Sequence, residues 1–235
     1  MQIIGVEVAG GPPVFTDPLP HGGDPYRLAW QHGYRMIRPL SVTGRSPDLS
    51  LTVQVGRHGR SAELPPQRTR SIDPELDLSQ EPEPLVRQRV AAYGIVLSDR
   101  GLLATQFSEL TAVPGLWGLP GGGIQRDESP ARALLREVME ETGQRVQIEQ
   151  LLDVQTDHWI GRSPSRVVEN FHAVRIIYAA VCTAPTDPVV NDVGGTTAAS
   201  AWMSPETWED QPWSMWAKVM LERHLTDRRS GTALN

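Results

Sequence analysis

Three glutamates near the middle of the chain, Glu137, Glu140 and Glu141, have types and spacing that could do chemistry. On a helix, residues three and four apart share a face, so Glu137 stacks with Glu140 and Glu141. On an exposed helix the repulsion costs roughly 0.2–0.5 kcal/mol per pair. Partly shielded, two unit charges about 4 Å apart at an effective dielectric of about 20 cost about 4 kcal/mol. A divalent cation reverses the sign of that term, and ligands made only of oxygen suit Mg²⁺ or Mn²⁺. A solvated acidic face would carry the same three residues, so the spacing alone does not decide. Gly121-Gly122-Gly123 stands a few residues upstream. Glycines there let the backbone approach a ligand closely, or make a tight strand-to-helix turn, and the two uses are compatible.

The elements that must position these groups are legible on both sides. Ser129 to Thr142 is predicted as a helix, with Pro130 in its first turn and Gly143 as a C-cap. Arg87–Leu97 and Leu102–Phe107 are expected to form a hairpin around the turn signal Asp99-Arg100-Gly101. Val146–Val154, Arg166–Cys182 and Ser200–Met203 are expected as strands, Ser204-Pro205-Glu206 opens a short helix, and Trp213–Leu225 is expected as a C-terminal helix. Before residue 85 the composition differs. Gln2–Val8, Tyr26–Val42 and Leu49–Gly56 are strand-like, Ser50 to Val55 alternates polar and apolar, and no amphipathic helix is expected there. Glu63 to Pro84 carries Pro65, Pro66, Pro74, Pro82 and Pro84 and is expected to be a linker or strap. The division expected is therefore a small β-rich module over 1–62, a linker over 63–84, a main domain over 85–226 and a tail over 227–235.

The 235 residues, 39% hydrophobic, suffice for one large domain or one with a smaller companion. No apolar run is long enough to span a bilayer, and the N-terminus has no basic lead-in of a signal peptide. Cys182 is the only cysteine, which excludes an internal disulfide and a thiolate metal cluster. These features point to a reducing cytoplasm, and a net charge of −6 argues against a nucleic-acid backbone as partner.

Gly122, Glu128, Arg136, Glu137, Val138, Glu140, Glu141 and Gly143 together resemble the Nudix box: Gly, five residues, Glu, seven residues, Arg-Glu, a hydrophobic residue, any residue, Glu-Glu, any residue, Gly. Seven identities at fixed spacing arise by chance on the order of once in 10⁵ chains or less. Gln144 departs from the pattern, standing where an aliphatic residue is usual. The resemblance covers about 85–225. It implies a Nudix-type α/β/α sandwich with a mixed sheet, an α+β fold, alongside the β-rich N-terminal module. It also implies Mg²⁺- or Mn²⁺-dependent cleavage of a diphosphate linkage in a small nucleotide derivative, such as ADP-ribose, a sugar nucleotide or a nucleoside triphosphate. By position, Glu137, Glu140 and Glu141 would bind metal, with the main chain of Gly121 and Gly122 completing the site. One glutamate, Glu137 or Glu140, would instead orient or deprotonate the attacking water. Glu128 would act directly or through water, and Arg136 would orient a box glutamate.

Outside the box, Glu169, Asp187, Asp192, His158 and His172 are candidates for a further base, each equally readable as surface. Trp159 and Phe171 are candidates to stack a nucleobase, with Glu169 beside them as a substrate contact, although aromatics there also serve a core. The cluster Trp202, Trp208, Trp213 and Trp216 is expected to pack the last helix. Two rivals use the same fold. A non-catalytic ligand-sensing regulator would carry a damaged box and a winged helix, and only Thr226 to Asn235 follow Leu225. An isopentenyl-diphosphate-isomerase-like enzyme needs a catalytic cysteine, and Cys182 falls in an expected buried strand. The N-terminal module is expected either to contribute to a homodimer interface and line the substrate cleft, or to be an appended domain with no bearing on catalysis.

Overall fold

The computed structural model describes residues 1–59, 63–65, 71–163, 165–192, 194–204 and 206–229, with side chains up to 225. Pro66, Pro205 and the last six residues of the expected tail lie outside them. The chain forms two compact units. One contains Met1–Ala92, Gly123–Ala133 and Leu151–Ile177; the other contains Tyr93–Gly122, Leu134–Gln150 and Tyr178–Asn235.

The N-terminal β-rich module is present as a four-stranded sheet. Its strands are β1 (Gln2–Val6), β2 (Pro13–Pro18), β3 (Tyr34–Arg45) and β4 (Asp48–Arg57), in the order β2-β1-β4-β3. The alternation seen in β4 has its expected cause: Leu49, Leu51, Val53 and Val55 are buried while their neighbours are not. The expectation of no helix here is corrected. The stretch expected as one strand from Tyr26 to Val42 begins instead with helix α1, Pro25–Gln31. Asp24 caps it by accepting the N–H groups of Tyr26 and Arg27, Pro25 stands in its first turn, and Leu28 and Ala29 are buried. Gly33, at φ +83°, follows its end. Seven residues are too few for a visible helical period, so the cap was the signal.

The larger sheet contains β5 (Ser71–Ile72), β6 (Leu85–Ser98), β7 (Gly101–Phe107), β8 (Trp117–Gly118) and β9 (Gly121–Gly123). Helix α2 (Pro130–Thr142) follows, then β10 (Gln147–Arg162), β11 (Val168–Val181), β12 (Thr197–Met203) and helix α3 (Met215–Arg229). The strand order is β12-β7-β6-β11-β10-β5, with β8 beside β7 and β9 beside β6. Among the described residues of the Pro-rich stretch, the two-residue β5 lies at the edge of this sheet. The β6–β7 hairpin closes through Leu97 opposite Leu102 and Ser98 opposite Gly101, leaving Asp99-Arg100 as the turn. β10 runs eight residues past its expected end, because Gln155 and Thr156 are polar yet buried.

In the second unit Leu102, Leu103, Leu134, Val138, Met220 and Leu221 are fully buried, each contributing about 1.5–3 kcal/mol. Trp208 and Trp213 meet edge to face there, and Trp216 lies against Tyr93. Cys182 is buried, as expected. Gln144, the exception in the box, is also buried, and its amide is satisfied by the Thr142 carbonyl and by Thr186. Polar partners on the neighbouring loop replace the apolar contact. No described helix is long and apolar enough to cross a membrane.

Candidate active site

Glu141 is the buried anchor of the site. It projects from α2 at 8% exposure, and both carboxylate oxygens are held. Oε2 accepts the Gly121 N–H at 2.8 Å, and Oε1 accepts the Thr197 hydroxyl at 2.7 Å. Burial pushes its pKa up to about 7. The hydrogen bonds from Gly121 and Thr197 oppose that rise, while the negative charges of Glu137 and Asp192 add to it.

Glu137 lies one turn earlier. Its carboxylate fills the space where a side chain on residue 122 would stand: a Cβ on Gly122 would come within 2.6 Å of Glu137 Cδ and Oε1. The glycine is thus a steric requirement of the carboxylate. Arg136 donates through Nη1 to Glu137 Oε1 at 2.8 Å and to Glu140 Oε2 at 3.0 Å, so one guanidinium ties two box glutamates together. Glu140 is the most open of the three, with its side chain 44% exposed. Gly143, at φ +67°, turns the chain out of α2 and donates its N–H to the Met139 carbonyl at 3.0 Å.

Two contributors escaped sequence reasoning. Thr197 belongs to β12, 56 residues from Glu141, and no local pattern links them. The second is the way the loop at 189–192, whose Asp192 is among the candidates read from the sequence, closes the C-terminal end of α2. Val189 N–H donates to the Thr142 carbonyl, Asn191 and Asp192 N–H donate to that of Glu140, and the Asn191 amide donates to that of Met139. This loop brings Asp192 near enough to act on Glu141. Asp187 instead pairs with Arg100 at the surface.

The remaining candidates lie in the first unit. Glu128 accepts the Gln125 N–H at 3.0 Å in the turn before α2. Side chains of β10 and β11 divide by parity. One set brings Trp159 and Phe171 together at 4.6 Å between centroids. Arg87 lies 5.9 Å from the Phe171 ring and 3.0 Å from Glu169, so the three candidate substrate contacts form one patch. His158 and His172 belong to the other set and bond Asn170 and Gln88.

Among the described residues, no three His, Cys, Asp or Glu side chains converge into a ready cage for a metal. Mg²⁺ does not need one. It keeps several waters and takes one or two carboxylates plus substrate phosphates. The crowding of Glu137, Glu141 and Asp192, and the gap that Gly122 leaves for the Glu137 carboxylate, fit such an ion.

A mixed α and β fold with a glycine-bordered, carboxylate-bearing helix defines a class of hydrolases acting on phosphorus-containing anhydrides. The family described as the NUDIX domain matches residues 87–224, more than half of the chain, and the chain belongs to the Nudix family. Nucleoside triphosphatase NudI of Salmonella schwarzengrund is 31% identical over 129 residues, covering 52% of this chain and 85% of that protein. A MutT-like protein of Streptomyces ambofaciens is 41% identical over 66 residues, covering 28% of this chain and 40% of that protein. Among solved structures, a MutT NUDIX hydrolase from Burkholderia pseudomallei matches with a TM-score of 0.43 and 25% identity, over 59% of this chain and 98% of that one.

Proposed function

We propose that this chain is a Mg²⁺- or Mn²⁺-dependent hydrolase that cleaves the diphosphate linkage of a small nucleotide derivative. Candidate substrates are nucleoside triphosphates, sugar nucleotides and ADP-ribose. The observation that carries the reading is the Gly122–Glu137–Glu141 arrangement, a pair of carboxylates kept close at an electrostatic cost that a divalent ion relieves. The activity in the name of the NudI relative supports the triphosphates.

Glu137 and Glu141 would hold the ion, with Glu140 and the Gly121 main chain beside them. When bound, the ion supplies charge neutralisation on the phosphates and acidifies a coordinated water. The rest falls to the protein. Gly121 and Thr197 fix the orientation of Glu141. Arg136 positions Glu137 and Glu140, one of which takes the proton of the attacking water. The water oxygen bonds to one phosphorus, the bridging P–O bond breaks, and its electron pair leaves with the second phosphate. The patch of Trp159, Phe171, Arg87 and Glu169 offers a stacking surface and a carboxylate for a nucleobase.

The test is a panel of nucleoside triphosphates, sugar nucleotides and ADP-ribose, each with Mg²⁺, Mn²⁺ or a chelator, read by product phosphorus NMR. Turnover of at least one substrate, abolished by the chelator, is expected. No turnover of any, with tight binding of one, would replace this reading with that of a ligand sensor.

A further inference from the structure

Strand β6 carries two arginines on one face, Arg87 and Arg89, and only one of them has its charge answered. Arg87 pairs with Glu169 at 3.0 Å and lies 5.9 Å from the Phe171 ring. Arg89 is exposed, and among the described residues it makes no ion pair and its guanidinium makes no hydrogen bond. An exposed arginine is by itself an ordinary surface residue. What sets Arg89 apart is its seat.

That seat is Gly123. A Cβ there would come within 2.8 Å of Arg89 Nε and Nη2 and 3.2 Å of Cζ, so the guanidinium lies against the bare main chain of the glycine. Gly123 has no left-handed conformation that would call for glycine, so its missing side chain answers a need for space. Its neighbour in the chain makes the same kind of room for the opposite charge, since Gly122 clears the space that the Glu137 carboxylate fills. Consecutive glycines of the box thus admit an acid and a cation.

Arg89 also stands between two features already assigned. Alternate residues of a strand lie about 6.5 Å apart on one face, so Arg87 and the patch of Trp159, Phe171 and Glu169 adjoin it on one side. The box glycines adjoin it on the other. The Ile124 N–H donates to the Val90 carbonyl at 3.1 Å and the Gly94 N–H to the Pro120 carbonyl at 3.0 Å, which sets β9 beside residues 91–93 of β6. A nucleotide has the same order: base, then the phosphate on its ribose, then the rest of the phosphate chain. With the base on the aromatic patch and the scissile linkage at the box, the phosphate nearest the nucleoside falls to Arg89. A guanidinium fork matches two phosphate oxygens, and one divalent ion does not neutralise a whole di- or triphosphate.

We propose that Arg89 is a substrate-binding residue that holds the phosphate bonded to the nucleoside. The proposal rests on the hydrolase reading for the class of substrate and on the seat at Gly123 for the residue.

The full chain is titrated by calorimetry with AMP, GMP, CMP and UMP and with the matching nucleosides. Chelator is present, so that no metal-held phosphate enters the comparison. At least one monophosphate should bind better than its nucleoside by roughly tenfold or more, the gain from a charge-assisted hydrogen bond. Arg89→Gln should remove that advantage and Arg89→Lys should keep part of it. Arg57→Gln, a change in the N-terminal sheet, should leave it intact. Gly123→Ala drives the guanidinium from its seat, so it should weaken monophosphate binding in the native chain and weaken it no further in Arg89→Gln. Should Arg89→Gln fail to fold by circular dichroism, Gly123→Ala decides. No advantage of any monophosphate over its nucleoside, or an advantage that survives both Arg89→Gln and Gly123→Ala, overturns the proposal. Kinetics with Mg²⁺ separate it from the reading it rests on. If a nucleotide is turned over and Arg89→Gln keeps the native KM and kcat, the proposal fails and the hydrolase reading stands. If none is turned over but the advantage is lost in Arg89→Gln, that reading fails and Arg89 stands as the phosphate contact of a nucleotide-binding protein.

Discussion

At the scale of single residues, the site rests on an acid whose environment opposes its own charge. Glu141 is buried beside Glu137 and within reach of Asp192, and two short hydrogen bonds keep it oriented all the same. Glu141→Gln retains those bonds, since the amide oxygen still accepts from Gly121 and the amide nitrogen can donate to the Thr197 oxygen. It removes only the charge. Turnover should fall by roughly 100-fold or more, beyond the usual loss for a residue that merely supports a metal ligand, while the thermal midpoint holds. Near-normal activity at saturating Mg²⁺ would remove Glu141 from the ligand set. Gly122→Ala tests the same site by shape. The new Cβ collides with the movable end of Glu137 rather than with backbone, so the fold yields at little cost and the carboxylate shifts. A roughly 10–100-fold drop in kcat or in metal affinity is expected, against no change for Gly59→Ala, where the added methyl meets nothing within 4 Å. Equal kinetics for the two variants would show that the Glu137 position does not matter.

At the scale of elements, α2 presents its acids because both of its ends are specified. Gly143 takes a left-handed conformation, and Gly143→Ala should cost about 1–2 kcal/mol in urea unfolding. Gly143→Asn should cost less, because Asn tolerates that region better; the reverse order would show that the cap is not the source. Strand β11 carries a second element-level consequence in His172. Burial, with the neighbouring His21 and His158, lowers its pKa to about 4 from an ordinary 6.5. Above pH 6.5 the ring is neutral in both folded and unfolded chains, and the native state has its full stability. Between 6.5 and about 4 the unfolded chain takes up a proton that the folded chain refuses, so stability falls as pH falls. His172→Gln should flatten that part of the stability–pH curve, whatever it does to stability at pH 7.5. An unchanged slope would mean that other groups carry it.

At the scale of the whole molecule, the N-terminal residues are more than an appendage in the first unit. Tyr26 donates to Asp153, Thr156 donates to Asp24, and the main chain of Ser46 exchanges hydrogen bonds with Asp127 and Glu128. Asp153 and Thr156 are nearly fully buried, so removing those partners exposes apolar surface and strands polar groups. A chain beginning at Leu85 should therefore aggregate or unfold at lower temperature than the full chain. Light scattering on both also tests the proposed homodimer. A soluble truncated chain with unchanged KM and unchanged oligomeric mass would make the first 84 residues dispensable for stability, assembly and the site alike.

The box from Gly122 to Gly143, the helix that carries it, the β6–β7 hairpin and the alternation in β4 were all legible in the residues, because each is a local pattern of period or spacing. Helix α1 was missed because it is too short to show a period, and β10 was cut short because its continuation is polar yet buried. What only the tertiary structure decided is which distant groups complete the site. Thr197 reaches Glu141 across 56 positions, Asp192 is delivered by a loop that caps the end of α2, and Gln144 is made tolerable by Thr186. The sorting of Trp159, Phe171 and Glu169 to one side of their strands and of His158 and His172 to the other follows from strand parity, but that the first set meets as one patch with Arg87 was decided by the tertiary structure. Hydrogen bonding and electrostatics act through space, and the chain order of the residues that meet there carries no trace of it.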